Sequence, residues 1–217
     1  MTIHKLRVFV FFSGGASGLK YLMEQDPNFN KTYEIIGCFC DNKAAKGITM
    51  YENVTMVDYT DWRRQRKLRT NRATREIFFA EVVAPIIADQ HIDLMIMSGF
   101  MMLVPKTFLD IYPRRIINIH PADLGIIGEG GKRKYTGANA VQLAMDAGER
   151  ITSSTIHFAE EEPDAGEIIW ISDGLPVVSG RDAKVQQELM KTECDGPALA
   201  YALTIFARGG IKLEPKK

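Results

Sequence analysis

Ile116-Ile117-Asn118-Ile119-His120-Pro121 sets two polar, chemically active side chains at the end of an otherwise apolar run. In an extended strand residues two apart point the same way, so Asn118 and His120 share one face while Ile117 and Ile119 anchor the other. An amide can stabilise a developing oxyanion, and an imidazole can give or take a proton near neutrality. Pro121 ends the strand just after the histidine. Taken alone, the pair reads equally well as a satisfied strand-end histidine beside a hydrogen-bonded asparagine, so the surrounding chain has to decide.

Upstream, Leu94-Met95-Ile96-Met97 is continuously apolar, as a buried central strand is. It ends in the apolar loop Ser98-Gly99-Phe100-Met101-Met102-Leu103-Val104-Pro105, a candidate pocket wall. Core packing is the rival reading for Met101 and Met102. Near the start, the β-branched and aromatic run of residues 6–12 breaks at Ser13-Gly14-Gly15-Ala16-Ser17-Gly18, and residues 19–25 then have helical spacing. Such a turn brings backbone N–H groups to an anion at a helix N-terminus, with phosphate as the natural guest. It is neither a Walker loop nor G-x-G-x-x-G, since Ala16 stands at the second glycine. Residues 33–40 form a second strand and 54–59 a third. Strands alternating with helices imply βαβ units, hence an α/β chain with an open, mostly parallel, Rossmann-like twisted sheet flanked by helices. Ligands of such sheets sit beyond the carboxyl ends of the strands, where the Gly-rich turn, the apolar loop and Asn118/His120 can converge.

Downstream, the Gly- and Lys-rich residues 125–135 have the composition of a mobile surface loop or lid. Residues 137–147 have helical spacing. Residues 153–159 alternate, which places Ile156 and Phe158 on one face and Thr155 and His157 on the other, so His157 can line the same cleft. The acidic turn Glu160-Glu161-Glu162-Pro163-Asp164-Ala165-Gly166 precedes a strand at 168–172, and one carboxylate from it held near His120 would orient that imidazole. Asp164, between Pro163 and the small Ala165-Gly166, is the one held most rigidly. A helix from Asp182 is expected to break near Gly196-Pro197 and resume through 198–207; the tail 214–217 is expected to fray.

At 217 residues the chain has the length of a single α/β domain. Lys+Arg and Asp+Glu both number 27, so no charge imbalance points to nucleic acid or an anionic membrane. The cluster Arg63, Arg64, Arg66, Lys67, Arg69, Arg72 and Arg75 reads better as a solvated helix face than as an RNA contact. Cys38, Cys40 and Cys194 form neither a pairable even set nor metal-type spacing and read as buried thiols in a reducing cytoplasm. No apolar span reaches membrane length, and the first residues meet Ser13-Gly14-Gly15 too soon for a signal peptide, so a soluble cytoplasmic protein is expected. His4, His91, His120 and His157 show no ligand spacing, so no metal is implied.

Together these pieces resemble the folate-dependent formyltransferases, most closely those acting on glycinamide ribonucleotide. The resemblance runs from about Arg7 to Leu213. Its strongest elements are Ile117-Asn118-Ile119-His120-Pro121, Ser98-Gly99-Phe100-Met101 and Asp164-Ala165-Gly166. It implies one formyltransferase domain over 1–217 and direct formyl transfer from 10-formyltetrahydrofolate as co-substrate to a primary amine, with a phosphoribosyl amine and folate as small-molecule partners. Asn118 and His120 would polarise the formyl carbonyl and handle the proton, with Asp164 setting the state of the histidine. Ala16, Ser17 and Gly18 would hold the substrate phosphate. Arg75, Met101, Met102, Leu103, Val104, Asn118 and the stretch Glu160, Glu161, Glu162 and Pro163 would bind folate, and Glu193 the ribose. The chain departs from the family pattern in three places. Met102 stands where an arginine usually meets the folate's glutamate tail, Ala16 and Gly18 alter the phosphate turn, and residues 125–134 lengthen a short connection. The first bears on recognition of the folate tail; the other two leave room for another acceptor: water, as in a formyltetrahydrofolate hydrolase, or a nucleotide-linked amino sugar. A non-catalytic folate- or nucleotide-binding module, or an RNA-binding one, is the reading from a different class.

Overall fold

The computed structural model describes residues 5–215. The expectations that rest on Met1, Thr2, Ile3, His4, Lys216 and Lys217 lie outside the described residues. In chain order the elements are β1 (Leu6–Phe12), α1 (Ser17–Glu24), β2 (Tyr33–Cys40), β3 (Val54–Met56), α2 (Tyr59–Gln65), α3 (Arg72–Phe78), α4 (Ala84–Ile87), β4 (Leu94–Met97), α5 (Lys106–Ile111), β5 (Ile116–His120), α6 (Ala140–Asp146), β6 (Ile151–Thr152), β7 (Thr155–Phe158), β8 (Ile168–Ile171), β9 (Leu175–Pro176), α7 (Ala183–Met190) and α8 (Gly196–Ala207). π-Helical segments Phe79–Val83 and Lys191–Asp195 join α3 to α4 and α7 to α8.

The main sheet has the order β3-β2-β1-β4-β5-β7-β8. The pairs among β1 to β5 are parallel, and β7 and β8 add an antiparallel edge. The strand order reverses at β1, whose neighbours are β2 and β4, and this switch point opens a crevice at the carboxyl ends of the strands. Alternation along the strands divides the core. Val8, Val10, Ile96, Ile117 and Ile119 pack with Leu19 and Leu22 of α1 and with Leu199 and Leu203 of α8. Phe9, Phe11, Phe39, Met95 and Ile116 pack on the other face with Phe78, Phe79 and Phe108. Cys38 and Cys40 lie in the first cluster as free thiols, and burial pushes the Cys38 thiol up to about 12.

Three segments differ from expectation. The third strand stops at Met56 because the Asp58 side chain accepts the Asp61 N–H at 2.8 Å and starts α2, a local cap that outcompetes a longer ladder. The helix after Asp182 does not break at Gly196-Pro197. The widened turn of Lys191–Asp195 leads straight into α8, and Pro197 sits in its first turn, where a missing N–H costs least. Gly196 is needed there, since a Cβ would lie 2.2 Å from the Tyr21 ring of α1. Residues 125–135 are not an open loop. Ile127 and Arg133 form a bridge, Gly128 N–H donates to Lys132 O at 2.8 Å, Lys134 N–H donates to Ile126 O at 2.9 Å, and Tyr135 is buried. Glycines that looked like looseness make the tight reversals at Gly130 and Gly131, both at positive φ.

Candidate active site

Beyond the carboxyl ends of β1, β4 and β5 lies a cavity of about 460 Å³, within the range of small-molecule sites. Ser17, the loop 97–104, Asn118, His120, His157, Glu160, Pro163, Asp164 and Asp195 are among its lining residues. Because Ile117 and Ile119 are committed to the α1/α8 side of the core, the pleat turns Asn118 and His120 to the opposite face.

His120 is buried, and each of its ring nitrogens faces oxygen. Nε2 is 2.8 Å from the Tyr135 carbonyl, which can only accept, so Nε2 carries hydrogen; Nδ1 is 3.3 Å from Asp164 Oδ1. Asp164 comes back over the strand ends in a left-handed conformation (φ 58), and its Oδ2 accepts the Gly137 N–H at 2.8 Å. Burial pushes the Asp164 carboxyl up, but the bond and charge of His120, the Gly137 N–H and His157 outweigh it and hold the group below its usual value. A carboxylate therefore faces the imidazole at neutral pH.

His157 Nδ1 lies 2.8 Å from the Phe158 carbonyl and carries hydrogen, while Nε2 lies 3.1 Å from Asn118 Nδ2 and 3.7 Å from Asp164 Oδ1. Burial lowers the pKa of His157 despite the pull of that carbonyl and of Asp164. A bare Nε2 can then accept from the Asn118 amide, which fixes the amide and leaves its second N–H for a ligand.

The remaining expected residues divide. Met101 and Leu103 are 69% and 46% exposed on the cavity wall, apolar surface held open to a ligand, whereas Met102 both lines the wall and packs into the aromatic cluster. Ser13 ties the Gly-rich turn to this wall: its N–H reaches Gly99 O at 3.1 Å and its hydroxyl accepts the Met101 N–H at 2.9 Å. Of Ala16, Ser17 and Gly18, only Ser17 lines the cavity. Ala16 makes the left-handed turn into α1 (φ 49), and Gly18 is a contact glycine, since a Cβ would lie 2.7 Å from Ser98 Oγ. Arg75 borders an adjoining cavity of about 120 Å³ with Arg72, Lys106 and Glu161, and the two cavities share Leu103 and Val104. Glu161 pairs with Arg72 at 2.7 Å, and Glu162 lines neither cavity. The basic cluster is partly neutralised by Arg72–Glu76 and Arg66–Glu81, in keeping with a solvated face.

Glu193, the expected ribose contact, is exposed and is not among the residues lining the cavity. In the wide turn of Lys191–Asp195 the residues facing the cavity are Lys191 and Asp195, four apart, and Glu193 falls between them on the outside. Burial pushes the Asp195 carboxyl up to about 6, against the Ser154 hydroxyl, which donates to it at 2.5 Å, and Lys191. Sequence reasoning did not single out Asp195, Lys191 and Gln187, because it expected a break near Gly196-Pro197 and had no sign of the π turn that precedes it. No membrane-crossing helix is present: among the described residues none is long and apolar enough.

Comparison with known proteins agrees with the fold. The Formyl transferase family model matches residues 6–195. The trifunctional purine biosynthetic protein adenosine-3 of Gallus gallus is 27% identical over 210 residues, covering 97% of this chain; the chain spans only 19% of that protein's length. A phosphoribosylglycinamide formyltransferase from Haemophilus influenzae is 35% identical over 123 residues, 57% of this chain and 53% of that one. The solved phosphoribosylglycinamide formyltransferase of Anaplasma phagocytophilum shares the fold, with a TM-score of 0.76 at 24% identity over 97% of this chain and 90% of that one. With the family pattern matched across the sheet and every strand end that builds the cavity, the chain belongs to the formyl transferase family.

Proposed function

We propose that this chain transfers the formyl group of 10-formyltetrahydrofolate to the primary amine of glycinamide ribonucleotide, the substrate that the relatives' names point to, as a single domain acting on small molecules. The observation that carries the reading is the meeting of Asn118, His120 and Asp164 at one cavity bounded by an apolar wall and the N-terminus of α1.

The amine attacks the formyl carbon, and the carbonyl oxygen becomes an oxyanion that the free Asn118 N–H and His120, protonated on Nδ1, stabilise. The His120–Asp164 pair relays the amine's proton to the folate nitrogen, which leaves as the carbon–nitrogen bond to folate breaks. The loop 97–104 covers the pterin and excludes water, and Glu160 and Pro163 face its other edge. Arg75, with Lys106 beside it, meets the carboxylates of the folate tail, a role that Met102 cannot supply. Ser17 and the first turn of α1 take the phosphate, and Asp195 the ribose hydroxyls. Three free buried thiols fit a reducing cytoplasm.

The test is turnover of 10-formyltetrahydrofolate with glycinamide ribonucleotide, following formylated product and tetrahydrofolate together. Product in equal amounts supports the reading. Formate release without acceptor would make the chain a hydrolase, and turnover only with an amino sugar nucleotide would move the acceptor; either result sinks this assignment.

A further inference from the structure

Residues 125–137 reach the His120–Asp164 pair at three points. The Tyr135 carbonyl faces His120 Nε2 at 2.8 Å, and the Gly137 N–H donates to Asp164 Oδ2 at 2.8 Å. The third contact is made by a side chain: the Arg133 guanidinium donates through Nη1 to the Asp164 carbonyl and through Nη2 to the Gly166 carbonyl, the latter at 2.8 Å. Arg133 is itself fixed, because it pairs with Ile127 across the closed reversal described above.

The turn that Arg133 grips needs gripping. Asp164 is an L-residue in the left-handed region (φ 58), a conformation that persists only when its surroundings determine it. A planar guanidinium with two parallel donors suits two carbonyls that flank one residue, here Ala165, and ties down both ends of that strained step.

We propose that Arg133 is a positioning residue for formyl transfer, holding the Asp164 turn from behind so that the carboxylate stays within reach of His120. The lengthened segment 125–134 is then a brace for the catalytic pair and not a lid. The inference rests on the reading of the site given above. The groups facing the Asp164 carboxylate are His120, His157 and the Gly137 N–H, while Arg133 contacts the backbone carbonyls of Asp164 and Gly166 and its charge bears on His157. Release of the turn therefore takes the carboxylate away from the partners that lower its pKa.

The experiment compares wild type, Arg133→Ala and Arg133→Lys by kcat and KM for both substrates across pH, by melting temperature, and by carbon NMR titration of the Asp164 carboxyl. Expected for Arg133→Ala is a fall in kcat of roughly 10- to 100-fold with both KM values within about threefold, since misplacement by about 1 Å can cost ~10²-fold. The Asp164 titration should move to higher pH. Arg133→Lys keeps one donor and should recover part of both effects. An Asp164 titration unchanged in Arg133→Ala, or a kcat within about twofold of wild type, overturns the proposal. So does a loss shared equally by Arg133→Lys and explained by a collapsed melting temperature. The NMR titration needs no turnover. Wild-type inactivity with glycinamide ribonucleotide would thus sink the reading of the site while the titration still decides whether Arg133 braces Asp164.

Discussion

Asn118 and His157 stand directly opposite each other on the antiparallel β5–β7 pair, with the amide nitrogen 3.1 Å from Nε2. Burial disfavours the charged ring, and the hydrogen bond from Nδ1 to Phe158 O leaves Nε2 bare, so the ring works as a fixed acceptor that aims the amide. His157→Leu keeps the volume and removes the acceptor. Its kcat should fall about tenfold with KM little changed, short of the roughly 10²–10³-fold loss expected for Asn118→Ala, where the oxyanion donor itself is gone. Equal losses in the two variants would mean that His157 touches the reacting atoms.

The Asp164 carboxyl makes a prediction in pH. Its folded value lies below the ordinary one, so the unfolded chain binds the proton more readily, and the group contributes stability that is present above the ordinary carboxylate pKa and is lost as pH falls through the lowered folded value. Asp164→Asn should lower kcat by about 10² or more at neutral pH and flatten the acid side of the stability curve. Urea midpoints measured at several acid pH values check the second part; an unchanged slope below pH ~4 would show that the carboxylate is not paired as described.

Much of this was legible in the chain. The bounds of β1, β2, β4 and β5 follow from apolar runs closed by turn residues, and the period of two was enough to put Asn118 and His120 on one face. What escaped depends on geometry with no local signature. A π turn carries no residue pattern, so nothing local signalled that Lys191 and Asp195 face the cavity. A glycine count does not separate a mobile loop from a reversal closed on itself, and Arg133 acts across more than thirty residues of sequence, on carbonyls that any side chain would present. Arg75 was separable from its basic neighbours only through the family pattern.

Asp195 makes the opposite pH prediction. Burial raises its carboxyl to about 6, so its contribution to stability is present below the unfolded value of 3.8 and is lost as pH rises through about 6. Asp195→Asn keeps the Ser154 contact without the charge. The variant should match wild type near pH ~4 and melt higher than wild type above pH ~7. Because Asp195 also lines the cavity beside Ser17, Asp195→Ala should raise KM for the ribonucleotide about tenfold and leave KM for folate within about twofold. An equal rise in both would take Asp195 away from the acceptor side.

Gly166 tests the turn that carries Asp164 from the other side. A Cβ there would lie 1.8 Å from the Phe158 carbonyl oxygen and 2.8 Å from its carbon, both backbone atoms of β7 that cannot swing aside. Gly15, in the Gly-rich turn after β1, has nothing within 4 Å of the same added atom. Gly166→Ala must therefore displace the turn or the strand, at a cost of about 1–3 kcal/mol or more, which in a chain of this length lowers the melting temperature by several degrees. It should also lower kcat, because the displaced turn holds the carboxylate that faces His120. Gly15→Ala should leave the melting temperature within about 1–2 °C of wild type, since it meets no clash and slightly restricts the unfolded chain. Wild-type stability and kcat in Gly166→Ala would mean that the Asp164 turn is not seated against β7.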